Sequence, residues 1–319
     1  MEAGANAARN YGSRGALDRR ASPHDKPVPS LSAAHHPTHY PHTPLAVNAE
    51  WQGRSGINAY ADLLMETDAT IGHVLEALRQ GGVADETFVL FSSDNGCSPF
   101  IGVAELEEHG HHPSGPLRGY KSDAWEGGHR VPLVVRWPGQ VAPQRSSHHL
   151  VHQADVLATL ADVLGAELKP HEGVDSVSLL PLLRGRDTPV RYHAVSTSTR
   201  GLPALRNGSW KYIAGAGSGG WSAGGTQSPS PVQLYELAGD LGEANNRAAE
   251  WPGRVLHMRA LLDELVSRGR STPGPRQAND VEVLRYPRDA ERRTDSSGGL
   301  SARSKKQAST APRSRSASL

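Results

Sequence analysis

The stretch Thr87-Phe88-Val89-Leu90-Phe91-Ser92-Ser93-Asp94-Asn95-Gly96 runs from an apolar segment straight into an acid, an amide and a glycine. Residues 87–92 read as a short strand of the kind buried in a sheet. The acid, amide and glycine at its end have two readings. Asn-Gly is a favoured two-residue hairpin turn with both residues at positive φ. Asp94-Asn95 also offers two hard oxygen donors at the C-terminal end of a strand, where open α/β sheets place their ligands, and Ca²⁺ or Mg²⁺ binds such oxygens. The dipeptide alone leaves both open.

Upstream, Tyr60, Leu63, Leu64, Ile71, Val74, Leu75 and Leu78 recur at three- and four-residue steps. The spacing predicts an amphipathic helix, begun by a capping Ser or Asn and stopped by Gly81-Gly82, whose apolar stripe covers a sheet. Downstream, residues 131–136 form a second strand. Residues 153–164 form a second helix with Val156, Leu157, Leu160, Val163 and Leu164 on one face and Gly165 as its stop. Strand and helix alternate, which predicts an α/β domain over residues 38–189. Beyond it, strand-like pieces at 204–206, 210–213 and 232–235, with Gly- and Ser-rich loops between them and a helix at 254–268, predict a small antiparallel α+β subdomain over residues 190–279.

Composition separates this middle from the ends. Of 319 residues, 37% are hydrophobic and only 5% aromatic, so much of the chain is expected outside any core. Residues 1–37 are low-complexity and read as disordered, as does the basic tail 280–319. A net charge of +1 gives no global bias toward nucleic acid or an acidic membrane, so no specific nucleic-acid partner is expected. The single cysteine, Cys97, excludes an intrachain disulfide framework and a CxxC site. No run approaches the length of a membrane span, and the first twenty residues lack the apolar core of a signal peptide, so the default compartment is the cytoplasm. Oligomeric state is not legible.

Two further residues stand in suggestive surroundings. Lys121 lies in Gly119-Tyr120-Lys121-Ser122-Asp123-Ala124-Trp125-Glu126-Gly127-Gly128-His129-Arg130, where glycines, aromatics and cations suit a loop that meets an anion. A lone Lys is otherwise a surface charge. His42, in Pro41-His42-Thr43-Pro44, follows His35, His36 and His39, but the interspersed prolines prevent one helical face and argue against a zinc cluster.

Taken in order, Pro41-His42-Thr43-Pro44, Glu50-Trp51-Gln52-Gly53-Arg54-Ser55-Gly56, Tyr60-Ala61-Asp62, Asp94-Asn95-Gly96 and Gly119-Tyr120-Lys121 with Trp125-Glu126-Gly127-Gly128-His129-Arg130 resemble the arylsulfatase family. Leu205-Arg206-Asn207-Gly208-Ser209-Trp210-Lys211-Tyr212 and Gln233-Leu234-Tyr235-Glu236-Leu237 are similar to that family's C-terminal subdomain. The resemblance covers residues 39–279. It implies an incomplete alkaline-phosphatase-like sandwich, a mixed sheet flanked by helices, followed by the antiparallel subdomain. It also implies hydrolysis of sulfuric esters, either small molecules or sulfated glycans. Asp94 and Asn95 would be two of four protein ligands of a Ca²⁺ ion, with Mg²⁺ as the alternative. Lys121 would contact the sulfate, and His42 would sit near the ester oxygen as sulfate binder or proton donor. With this context the metal reading of Asp94-Asn95 displaces the hairpin.

The departures are as informative. The family makes a formylglycine nucleophile from Cys/Ser-x-Pro-x-Arg and takes its other metal ligands from paired aspartates. No Asp-Asp dipeptide occurs, the literal match Ser114-Gly115-Pro116-Leu117-Arg118 lies after Asp94-Asn95 where the family has its motif in the N-terminal part, and Cys97-Ser98-Pro99-Phe100-Ile101 puts Ile101 where arginine belongs. The chain therefore corresponds to the family's C-terminal portion, is expected to be inactive by itself, and says little about compartment, since relatives are often exported. The alternatives are a non-catalytic remnant that binds an anion or a partner, and a phosphatase or phosphodiesterase of the wider superfamily.

Overall fold

The computed structural model describes residues 41–223 and 231–281. The segment read as disordered at 1–37, residues 282–319 of the tail read as disordered at 280–319, and His35, His36 and His39 lie outside the described residues.

Asn58 starts the first helix, α1 (Ala59–Gln80), by accepting the Ala61 N–H at 3.1 Å. Gly81 donates back to Ala77, and Gly82, at φ +69°, turns the chain away. Leu63 and Tyr60 are buried, and Tyr60 packs with Ile101 and Leu106 beside the short helix α2 (Val103–Glu108). The pattern predicts a stripe that covers a sheet. Instead, Val74 and Leu75 remain 38% and 36% exposed. A helix of 22 residues is about 33 Å long, and four-residue strands of about 13 Å are too short to cover it.

Those strands are β1 (Val89–Ser92) and β2 (Leu133–Arg136), paired antiparallel with Phe91 opposite Val134. Phe91 and Val134 form an exposed apolar face of this ribbon, while Phe88 meets Trp137 edge-on at 5.3 Å. Between β1 and β2 comes the single-turn helix α3 (Glu126–His129).

Helix α4 (Asp155–Leu164) ends at Gly165, φ +63°, as its pattern predicts, but buries a different face. Asp155, Thr159 and Ala161 are inside, and Leu157, Leu160 and Leu164 are exposed. Hydrogen bonds decide this. The Asp155 carboxylate accepts the Val177 N–H and pairs with Arg191, and Thr159 Oγ1 accepts the Leu179 N–H just before α5 (Leu180–Leu183). Buried polar groups must be paired, so the polar face turns inward against residues 177–180.

The C-terminal sheet is an antiparallel meander of β3 (His193–Thr197), β4 (Pro203–Asn207), β5 (Trp210–Ile213) and β6 (Gln233–Glu236), in that spatial order. Side-chain alternation gives it two packed faces. Leu205, Tyr212 and Leu234 meet α6 (Pro252–Arg268) at Met258, Leu262 and Leu265. Met258 and Leu262 are fully buried, which contributes about 1.5–3 kcal/mol each. Ala204, Ile213 and Tyr235 face Ala124 and Trp125, so this sheet carries the segment that leads into α3. No helix among the described residues is long and apolar enough to cross a membrane.

Candidate anion-binding site

The chain leaving β1 does not reverse through Asn95-Gly96, because the antiparallel partner of β1 is β2, beyond the whole α2–α3 segment. Instead, residues 94–97 lie against the loop around α3. Gly96 N–H donates to Gly128 O at 3.0 Å, Lys121 N–H to Cys97 O at 2.8 Å, and Gly127 N–H to Arg118 O at 2.8 Å. Glycine is required for this approach. A Cβ on Gly96 would stand 1.8 Å from Gly127 O, and one on Gly127 would stand 2.2 Å from Gly119 O.

These backbone bonds tie Lys121 to the segment that follows Asp94-Asn95. Asp94 is exposed, Asn95 half-buried, and the Asn95 amide donates to Asp94 Oδ1 at 3.1 Å. The half-buried Lys121 ammonium makes no hydrogen bond or ion pair to another described residue, which leaves it available to an anion. His42 is not joined to this group. It is exposed, and its Nδ1 lies 2.6 Å from the Thr43 carbonyl. Leu45 of its segment packs against the cluster that includes Cys97. Burial pushes the Cys97 thiol up, and its sulfur lies 3.3 Å from Ser114 Oγ.

For a cation, Asp94 and Asn95 are donors of the right kind but too few. Among the described residues no group of three or more His, Cys, Asp or Glu is placed to hold a metal. Calcium takes six to eight oxygens, so these two side chains do not fit the ion unaided.

Behind the loop lies an ion cluster that sequence reading did not assign. Lys211, 1% exposed on β5, places its ammonium 3.0 Å from Glu126 Oε1 and 2.9 Å from Glu243 Oε1. Arg206 and Arg130 reach the other Glu126 oxygen at 3.3 and 3.4 Å, and the Glu126 N–H donates to Glu243 Oε2 at 2.6 Å. Burial alone would raise the Glu126 carboxyl, but Lys211, His129 and Arg206 together hold it down at about 2. Burial raises Glu243. His129, 3.2 Å from the Lys211 ammonium, is lowered to about 4 by burial and by that cation. A signal was present: period-two alternation places Lys211 on the Ile213 face, toward Trp125.

Residues 28–166 match the protein-family model described as Sulfatase. An N-acetylgalactosamine-6-O-sulfatase of Bacteroides thetaiotaomicron is 32% identical over 235 residues, which are 71% of this chain and 45% of the relative. Human arylsulfatase A is 34% identical over 256 residues, 76% of this chain and 48% of that one. A solved structure from work on glycosaminoglycan metabolism by Bacteroides thetaiotaomicron superposes with a TM-score of 0.65 at 30% identity, covering 72% of this chain and 49% of that one. The likeness carries the alkaline-phosphatase-like α/β fold class. The chain spans about half the length of the curated relatives it matches.

Proposed function

We propose that this chain, which belongs to the sulfatase family, supplies the sulfate-binding lysine and two cation donors of a site for sulfuric ester hydrolysis. The observation that supports the proposal is the Lys121 N–H to Cys97 O bond at 2.8 Å, which ties the backbone of Lys121 to the segment that follows Asp94-Asn95 at the end of β1.

Cleavage of a sulfate ester builds negative charge on the bridging oxygen and spreads it over the sulfuryl oxygens. The Lys121 ammonium favours that charge, and the low-dielectric ion cluster behind α3 holds its loop in place before substrate arrives. His42 is assigned to the bridging oxygen as a sulfate binder or proton donor. Asp94 and Asn95 would contribute two oxygens toward a divalent cation, Ca²⁺ or Mg²⁺, which would supply Lewis acidity there only with further ligands beside these two. The substrate class is a sulfate ester of a small molecule or a glycan, in keeping with relatives named for N-acetylgalactosamine 6-O-sulfate and aryl sulfates.

Two assays test this. Titration of the full chain with inorganic sulfate should give saturable binding that Lys121→Ala weakens at least tenfold; equal affinity in the variant contradicts the assignment. The chain incubated with an aryl sulfate and Ca²⁺ should release no phenol, and release that Lys121→Ala abolishes would show that the nucleophile is here after all.

A further inference from the structure

Two exposed aromatic rings border the Lys121 loop without any role in the core. Phe100 is 69% and Trp221 46% exposed, yet their centroids stand 5.4 Å apart at an interplanar angle of 43°. Another exposed tryptophan, Trp251, packs against Trp210 and carries Arg247 at 5.7 Å, but no cation stacks on Phe100 or Trp221 among the described residues. Exposed apolar rings that pair only with each other point to a ligand surface.

Both rings are tied to the lysine through backbone. Phe100 follows Cys97, whose carbonyl accepts the Lys121 N–H, and the Phe100 N–H donates to Ser98 Oγ at 3.2 Å. The Trp221 N–H donates to Ser122 Oγ at 3.0 Å, one residue from Lys121. The buried Asp123 carboxylate joins the two loops. It accepts the Tyr120 N–H at 2.9 Å on one side, and on the other the Ser222 N–H at 3.1 Å and the Ser222 hydroxyl. Ala124 N–H donates to Ser218 O at 2.8 Å, which closes the same seam. At Gly220, a Cβ would stand 2.4 Å from both Asp123 Oδ1 and Ser122 O, so only glycine lets the tryptophan loop lie this close. The platform and the backbone that carries Lys121 are thus parts of one braced unit.

We infer that Phe100 and Trp221 form a ring-binding subsite that takes the leaving group of the ester bound at Lys121, by stacking on an aryl ring or on the apolar face of a sugar. The inference rests on the reading of Lys121 as the sulfate-binding group. It adds a selectivity that the lysine cannot have, because an ammonium recognises the anion whatever it is attached to.

The test is a titration of the full chain with inorganic sulfate, phenyl sulfate and N-acetylgalactosamine 6-sulfate. A stacked ring should bind roughly three- to tenfold more tightly than sulfate alone. Trp221→Ala and Phe100→Ala should each remove that gain and leave inorganic sulfate affinity unchanged; both residues are surface-exposed, and thermal unfolding verifies the fold. A gain for phenyl sulfate assigns an aryl group, and a gain for the sugar sulfate assigns a glycan. Sulfate binding with no gain for either ring, or a gain that survives both substitutions, overturns the subsite and leaves Lys121 standing. Failure of all three ligands to bind overturns both.

Discussion

Replacing Lys211 with Met removes the one cation that sits between Glu126 and Glu243. The side chains are 1%, 4% and 0% exposed, so solvent cannot replace it, and the variant leaves two buried carboxylates facing each other. Removing one partner of a buried pair costs about 3–5 kcal/mol. The titration of Glu126 gives a second figure. Its carboxyl is held at about 2 against an ordinary 4.5, and a shift of that size is worth about 3 kcal/mol at neutral pH. The sign follows from the direction. A depressed carboxyl stabilises the fold above its unfolded value, and that contribution fades as pH falls from about 4.5 toward about 2. Glu243 is raised by burial and works the other way, stabilising below its unfolded value and losing that contribution as pH rises. Part of the gain at pH 7 is therefore offset. Urea unfolding followed by far-UV circular dichroism should show Lys211→Met destabilised by about 3 kcal/mol at pH 7, with the gap to the parent narrowing as pH is lowered toward 3. A variant within about 0.5 kcal/mol of the parent at pH 7, or a gap that widens on acidification, would refute the electrostatic account of this cluster.

Gly96→Ala should force residues 94–97 off the α3 loop, since its Cβ would meet Gly127 O at 1.8 Å. The expected result is a loss of about 1–3 kcal/mol in urea unfolding together with weaker sulfate binding, and unchanged binding would show that this contact does not place Lys121. Arg191→Met strips the buried Asp155 of its cation and should cost about 3–5 kcal/mol, against near-neutrality if the pair is dispensable. Phe91→Lys acts on the exposed face of the β1–β2 ribbon. It should leave the unfolding midpoint nearly unchanged and reduce light scattering at high protein concentration, and equal scattering would argue that the ribbon face does not drive association.

Long, strongly capped elements were legible from residues alone. The Asn58 cap and the Gly81-Gly82 stop frame α1, and Gly165 ends α4. The buried face of α4 was not legible, because apolar spacing favoured Leu157, Leu160 and Leu164 while hydrogen bonds from residues 177 and 179 drew Asp155 and Thr159 inward. Strand β3 is not legible because His193-Ala194-Val195-Ser196-Thr197 has little apolar pattern and takes its place by pairing with β4. In the site, the residue types at Asp94, Asn95 and Lys121 carried a chemical meaning, but their nearness depends on glycine-to-carbonyl contacts that no spacing reveals. The Lys211–Glu126 pair joins residues 85 apart and needed the sheet to bring them together.

The most direct measurement is the side-chain ammonium resonance of Lys121 in ¹⁵N-lysine-labelled chain, followed during titration with inorganic sulfate. Sulfate is assigned to this lysine, so the Lys121 signal should shift with a saturable profile that matches the binding isotherm and disappears in Lys121→Ala. Sulfate that saturates the chain while the Lys121 resonance stays in place would contradict the assignment.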